Sequence, residues 1–171
     1  MRSDKSYSNV TFTKRVDHDG GRHRPPRAAS EPRTCTGCGA AYVHRRWVAA
    51  TNPRAIAIAS SPIAIKTMCP ACRSLASVPM GYLHVDGPFF TEHQEEVERL
   101  IDREAERALE DNPLGRIVSR ARITPGELVV ATTTEHLAQR LGHALHKAYS
   151  GTVTYRFSHE NKLTRVTWHR D

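Results

Sequence analysis

Two Cys-x-x-Cys pairs constrain this chain more than any other feature of its sequence. Cys35 and Cys38 form the first pair, Cys69 and Cys72 form the second, and the chain contains no other cysteine. Two residues between thiolates allow one tight turn to direct both sulfurs at a single ion. Two such turns complete a tetrahedral shell of four thiolates, so we predict a zinc ribbon in which these four residues hold one zinc ion.

Two other chemistries remain open for these cysteines, an iron–sulfur cluster and a redox-active dithiol. The dithiol is the less favoured, because no βαβ pattern surrounds either pair. A disulfide framework is also disfavoured, because no signal peptide precedes the pairs. A closed shell of four cysteines leaves no open coordination position, so the zinc is expected to be structural and not catalytic. Serine at any ligand position is then expected to unfold the ribbon.

Composition divides the chain into four predicted segments. Residues 1–33 contain paired glycines and prolines with few apolar residues, which predicts a disordered basic arm. Residues 34–90 hold the cysteines and form the predicted ribbon. Within the ribbon, the apolar runs around Tyr42 and Trp47 predict one strand, and Ala55–Ile58 and 63–65 predict others.

Residues 91–112 predict an acidic linking helix. Thr91 and Gln94 fit a capping box at its start, and Asn112-Pro113 ends it. The segment carries nine acidic residues against three arginines, so we expect it to point away from any polyanion.

Residues 113–171 predict a small α/β domain in the order strand, strand, helix, strand, strand. One set of alternate residues, Ile117, Ser119, Ala121 and Ile123, is mostly apolar, and the other set, Arg116, Val118, Arg120 and Arg122, is mostly basic. This alternation predicts a half-buried strand with a basic outer face. The predicted fold is therefore α+β: an N-terminal four-cysteine zinc ribbon, a linking helix and a ββαββ domain.

Charge and motifs limit the function. The formal net charge is +7, which favours a polyanionic partner, nucleic acid before anionic lipid. No phosphate-binding loop, dinucleotide-binding turn or nucleophile elbow is present, so we expect no enzymatic activity and no small-molecule substrate. The N-terminus has no apolar run, and the longest apolar stretch is short and broken, so we expect a cytoplasmic protein without a membrane partner.

Candidate nucleic-acid contacts are the basic residues of the ribbon and of the first domain strand, with one tryptophan that could stack on bases. Aromatic residues of the last strands, Tyr155 and Phe157, are better explained as core. The candidate RNA-binding residues are Arg45, Arg46, Trp47, Arg54, Lys66, Arg73, Arg116, Arg120 and Arg122.

Several segments occur in a recognisable order: CTGCGAAYVHRRW from Cys35, CPACR from Cys69, PMGYLHVDGPFFTEHQEEVERLIDREAERA, LVVATTTEHLAQRLGHALHKAYSG and a closing RVTW. This order resembles a family of short bacterial zinc-ribbon proteins. More distantly, it is similar to the N-terminal half of the archaeal and eukaryotic adaptor that escorts the large ribosomal subunit during export and maturation. That adaptor has more cysteines and further domains.

The resemblance implies the four cysteines as ligands and a surface for ribosomal RNA of the large subunit. The bacterial family is similar to low-oxygen and stress-linked groups, which implies a ribosome-hibernation or protection factor. Two alternatives stay open. A DNA-binding regulator ranks lower because no basic recognition helix is evident, and a zinc-stapled protein–protein adaptor would use the acidic helix as its docking face.

Overall fold

The computed structural model describes residues 5–8, 32–74, 78–158 and 163–171. None of the helices in these ranges combines the length and apolar character needed to cross a bilayer. The elements in chain order are β1 (Lys5–Ser8), β2 (Arg33–Cys35), β3 (Ala41–Val43), β4 (Arg46–Val48), α1 (Pro53–Ala59), β5 (Ile65–Thr67), α2 (Pro70–Ser74), β6 (Gly81–Asp86), α3 (Pro88–Glu92), α4 (Gln94–Asp111), β7 (Ile117–Thr124), β8 (Glu127–Thr132), α5 (Glu135–Tyr149), β9 (Thr152–Ser158) and β10 (Leu163–His169).

The strands form two sheets, as expected for the predicted α+β class. A six-stranded sheet has the order β1-β9-β10-β6-β8-β7, and a four-stranded sheet has the order β4-β3-β2-β5. We call residues 32–74, which contain the four-stranded sheet, the cysteine unit. We call residues 78–171, as far as they are described, the α/β unit; β1 pairs with its edge strand β9.

Helices α4 and α5 pack against each other, and α5 packs on the middle strands of the six-stranded sheet. Along the central strand β6, buried Gly81, Leu83 and Val85 alternate with partly exposed residues, so one face of the sheet is covered and the other is open. The apolar stripe of α5 supplies Leu141 and other leucines to this covered face. The core contains Leu83, Val85, Phe90, Val97, Ile101, Ala108, Leu128, Val130, Leu137, Ala138, Leu141, Leu145, Val153, Tyr155, Val166 and Trp168.

The predicted ββαββ order is present as β7, β8, α5, β9 and β10, but β6 joins it as a central strand. The sequence placed residues 81–86 in the ribbon, whereas β6 pairs in parallel with β10 and antiparallel with β8. The boundary between the two units therefore falls before Gly81, because a strand with three buried alternate residues needs the helices of the α/β unit to cover it.

Three local predictions were wrong. Ala55–Ile58 lies in α1, because Asn52 caps that helix through Arg54 and Pro53 occupies its first turn. The predicted single strand around Tyr42 and Trp47 is a hairpin, β3-β4, turned at His44 and Arg45, which both have positive φ. The capping box does not form: Thr91, which lies in α3, donates to the Gly87 carbonyl just before that helix, and Gln94 donates to the Pro125 carbonyl.

The predicted arm, residues 1–33, lies outside the described residues except for Lys5–Ser8 and Pro32-Arg33. Lys5–Ser8 is an antiparallel edge strand on β9, and Arg33 begins β2, so these two short stretches are ordered elements and not part of a disordered arm.

Candidate metal centre

The first cysteine pair comprises the last residue of β2, Cys35, and Cys38 in the tight turn that follows. The Cys35 N–H donates to the Ala40 carbonyl at 2.7 Å, and the Gly39 N–H donates to the Cys35 carbonyl at 3.0 Å. Gly39 has a φ of +72°, which a residue with a side chain rarely adopts. A Cβ at Gly37 would lie 3.1 Å from the Cys72 Sγ, so glycine there leaves room for the sulfurs.

The second pair is built at the start of a helix. Cys69 precedes α2, whose first residue is Pro70, and the Arg73 N–H donates to the Cys69 carbonyl at 3.1 Å. The helical turn brings Cys72 back over Cys69, because residues three apart in a helix share a face. The two pairs therefore use different local structures to the same end.

The four sulfurs gather at one point. All four Sγ atoms lie within 4.8 Å of one another, and the Sγ atoms of Cys38 and Cys69 are 3.7 Å apart. A tetrahedral ion with Zn–S bonds of about 2.3 Å separates its sulfurs by about 3.8 Å, so this arrangement fits one ion bound by all four. The predicted ligands thus form a site that could hold a metal ion, and a donor set of four cysteines is typical of zinc or iron.

Backbone N–H groups point at the sulfurs. The Cys35 Sγ accepts from the Cys69 N–H at 3.1 Å and from the Gly37 N–H at 3.4 Å. Burial opposes ionisation of Cys35, but these backbone hydrogen bonds outweigh it and lower the pKa of the thiol from 9.0 to about 6. This turn is prepared to hold a thiolate, the form that binds metal.

The other two perturbed thiols ionise less readily in the absence of a cation. Burial raises the pKa of Cys69 well above 9.0, and burial raises that of Cys72 to about 11. Both lie against the other sulfurs, so their negative charges would repel. A bound dication removes this penalty by neutralising part of the charge.

Apolar packing around the sulfurs is thin. The buried residues are Cys35, Ala40, Cys69 and Ala71, and Trp47 packs beside them with its ring centroid 5.5 Å from that of Tyr42. Trp47, predicted as an RNA contact, is thus partly buried against the cysteines. Leu114 of the α/β unit also packs against this cluster, a contact between the units that no sequence pattern indicated.

The remaining ribbon candidates are exposed. Arg45 lies in the β3-β4 turn and Arg46 begins β4, while Arg54, Lys66 and Arg73 lie on α1, β5 and α2. Strand register places the side chains of Arg46 and Lys66 on the same face of the four-stranded sheet. Between Pro32 and Ser74 the chain contains six Lys or Arg residues and no Asp or Glu.

The candidates on β7 behave differently. Arg120 forms an ion pair with Asp102 of α4, and Arg122 forms one with Glu98 at 2.6 Å. The predicted basic outer face of this strand is therefore wrong for these two arginines, which lie on the helix side of the sheet. The acidic helix does not simply point away from the basic strand, because opposite charges on the two elements attract.

Arg116, just before β7, is also engaged. Its Nε donates to the Pro113 carbonyl at 3.2 Å, and its backbone N–H donates to the Thr133 hydroxyl at 2.8 Å. These bonds connect the end of α4 to the end of β8. The role of Arg116 in the described structure is therefore to join elements of the α/β unit.

Comparisons with protein-family models, with curated proteins and with solved structures return no match to this chain.

Proposed function

We propose that this chain is a non-enzymatic zinc-ribbon protein that binds RNA through its cysteine unit, with ribosomal RNA as the target. One observation carries the proposal: Arg45, Arg46, Arg54, Lys66 and Arg73 are exposed in a unit that contains no carboxylate side chain. Elsewhere the acidic residues of α4 pair with arginines of the α/β unit.

A surface of this kind attracts a polyanion. Exposed cations without a neighbouring carboxylate gain by replacing the counterions that surround phosphates, and the released ions make binding salt-dependent. Zinc with four thiolates has a formal charge of −2, which is too small to neutralise the basic residues around it. The ion holds the two cysteine turns together and so keeps these side chains on one rigid scaffold.

Ribosomal RNA is favoured over other polyanions by the resemblance to the bacterial zinc-ribbon family and to the large-subunit adaptor. The same resemblance supports a hibernation or protection role under stress. A sucrose-gradient profile of tagged protein from growing and oxygen-starved cells tests both. We expect the protein to travel with the large subunit or whole ribosomes and to leave them on addition of salt; protein at the top of the gradient in both conditions would exclude the ribosomal target.

A matched pair of variants tests the RNA surface itself. Replacing Arg45 and Arg46 by glutamine is expected to weaken ribosomal RNA binding. The slope of log binding constant against log salt concentration should become less steep by about 0.7 to 0.9 for each phosphate contact that is lost. Replacing Arg120 and Arg122 by glutamine removes the same charge from residues already paired with α4, so affinity is expected to change little. Equal losses in the two variants would show a net-charge effect and no defined surface.

The identity of the metal is tested by elemental analysis of protein purified without added metal. One zinc per chain is expected. Iron in place of zinc, with the visible absorption of an iron–thiolate centre, would contradict this part of the proposal.

A protein–protein adaptor is the second candidate, and one observation favours it. Ile56, Ile63 and Met68 of the cysteine unit are exposed, with Ile63 the most exposed at 74%. Ribosome association that resists both high salt and nuclease would favour this candidate. Preference for duplex DNA over RNA in the same assay would favour the DNA-binding alternative.

A further inference from the structure

The six-stranded sheet has one face that no described helix covers. On β6, β8 and β10, the buried side chains point to α5. The residues that alternate with them point to the opposite side of the sheet. Because directly paired residues share a face, strand register arranges the open face in rows. Its central residues are Tyr82, His84, Thr154, Arg156, Arg165 and Thr167.

The first row places two arginines side by side. Arg156 of β9 lies directly opposite Arg165 of β10, and both side chains are exposed. Among the described residues neither guanidinium has a carboxylate within ion-pair distance, although such pairs are common elsewhere in this unit. Like charges directly opposite each other destabilise a sheet, so this pair is a cost to the fold that a bound anion would remove.

The same row continues to an aromatic ring. Arg165 is paired with Tyr82 of β6, and Tyr82 is paired with Ala131 of β8. Ala131 is followed in the row by Ser119 of β7. Ala131 is itself buried, but Tyr82 is partly exposed, so a planar group can lie against the exposed part of its ring.

Charge changes along the face. The second row contains Thr154, Thr167 and His84, continues to Val129 of β8, and lacks Asp and Glu. The acidic residues Asp86 and Glu127 lie in the third row, at the opposite end of the strands from Arg165. A polyanion is therefore attracted to the first row and repelled from the third, which restricts it to one end of the sheet.

We propose that this open face binds single-stranded RNA, with one base stacked on Tyr82 and the backbone phosphates against Arg156 and Arg165. Unpaired bases can reach an aromatic side chain on a flat sheet, whereas a duplex keeps its bases stacked inside. The site is separate from the cysteine unit and adds a sequence-tolerant second contact. This inference rests on the proposed function only for the choice of RNA as the partner.

The test measures binding of the zinc-loaded full chain to a labelled twelve-nucleotide oligouridylate by fluorescence anisotropy. The variants R156Q/R165Q and Y82L are each expected to weaken binding about 5-fold or more, since stacking and phosphate contacts are lost. Arg103→Gln is the control, because this exposed arginine lies on α4, in the layer on the other side of the sheet. Wild-type affinity in both sheet variants overturns the inference.

The outcomes separate this inference from the proposed function. If R45Q/R46Q weakens binding and the sheet variants do not, the cysteine unit binds RNA and the open face does not. If the sheet variants lose as much affinity for an RNA duplex of the same length as for the single strand, the assignment to single strands is overturned. Ultraviolet crosslinking of the wild-type chain to 4-thiouridine RNA needs no variant: a crosslinked peptide containing Tyr82 is expected, and crosslinks confined to the cysteine unit would contradict the proposal.

Discussion

The two units of this protein differ in how much apolar surface they bury. The α/β unit buries a continuous core in which Trp168, Phe90 and Leu83 are fully enclosed. The apolar residues that the cysteine unit buries are four alanines, one tyrosine and two cysteines, and its isoleucines Ile56 and Ile63 are exposed. The difference teaches that the small core of the cysteine unit needs another source of stability, which a metal ion bound by four thiolates can supply.

The units also differ in how they use charge. In the α/β unit, Arg140 of α5 is bonded to Glu104 and Asp111 of α4, both at 2.6 Å, and β7 adds further pairs to the same helix. The cysteine unit has cations without carboxylates. Charge therefore joins elements in one unit and remains available to a partner in the other.

The largest expected effect comes from removing a ligand. Cys69→Ser is expected to abolish metal binding and amide protection across residues 33–74, because structural zinc contributes about 10 to 16 kcal/mol of apparent binding free energy. Protection in β6, β8 and α5 should persist. Hydrogen exchange with mass spectrometry measures both, with Thr36→Ser, exposed between two ligands, as the control. A metal-free cysteine unit that remains protected would break the comparison.

Truncation of a core side chain should destabilise the α/β unit and leave the cysteine unit intact. Leu141 is fully buried, so Leu141→Ala is expected to lower the free energy of unfolding of the α/β unit by about 2 to 5 kcal/mol. Metal stoichiometry should stay unchanged. Urea denaturation followed by circular dichroism measures the loss, and His143→Ala, an exposed position on the same helix, should change it by less than about 0.5 kcal/mol. Loss of metal in the Leu141 variant would mean that the units fold as one.

Leu114 tests whether the two units are energetically coupled, because it packs against the cysteine cluster from the loop between α4 and β7. Leu114→Ala removes a partly buried contact worth about 1 kcal/mol, so metal affinity is expected to fall a few-fold. Competition with a chromophoric chelator measures the affinity. Leu109→Ala, a half-buried leucine on α4, is the control and should leave affinity unchanged. Unchanged affinity in both variants would mean that the units are energetically independent.

The smallest expected effect is a pH dependence at the third row of the open face. A hydrogen bond with Asp86 raises the pKa of His169 above 6.5, although burial opposes this increase, and a hydrogen bond with Asp171 adds to it. The protonated pair stabilises the fold below about pH 6.5, and this contribution is lost as pH rises through the raised pKa. NMR titration of the His169 ring should show a larger drop in pKa for Asp86→Asn than for Asp171→Asn. Equal drops would mean that Asp86 is not the principal partner.

Local patterns predicted much of the fold. The alternation in β9 and β10 and the leucine spacing of α5 indicate which residues are buried, and the structure has the ββαββ order that they predict. The short run Ala55–Ile58 was assigned to the wrong element, because a brief apolar stretch fits a strand and a helix equally well. The signal that could have corrected it is Asn52-Pro53, a helix start.

The sequence by itself determined the four candidate metal ligands, because two residues between cysteines is a local constraint on one turn. Four thiols that all come in such pairs leave few other arrangements. It also determined that β7 carries arginines and that α4 carries acids. Only the tertiary structure decided that Arg120 and Arg122 face those acids and that Arg156 and Arg165 lie together on the open face. Alternation along a strand states that two faces differ, but which face receives the helices depends on contacts between residues far apart in the chain.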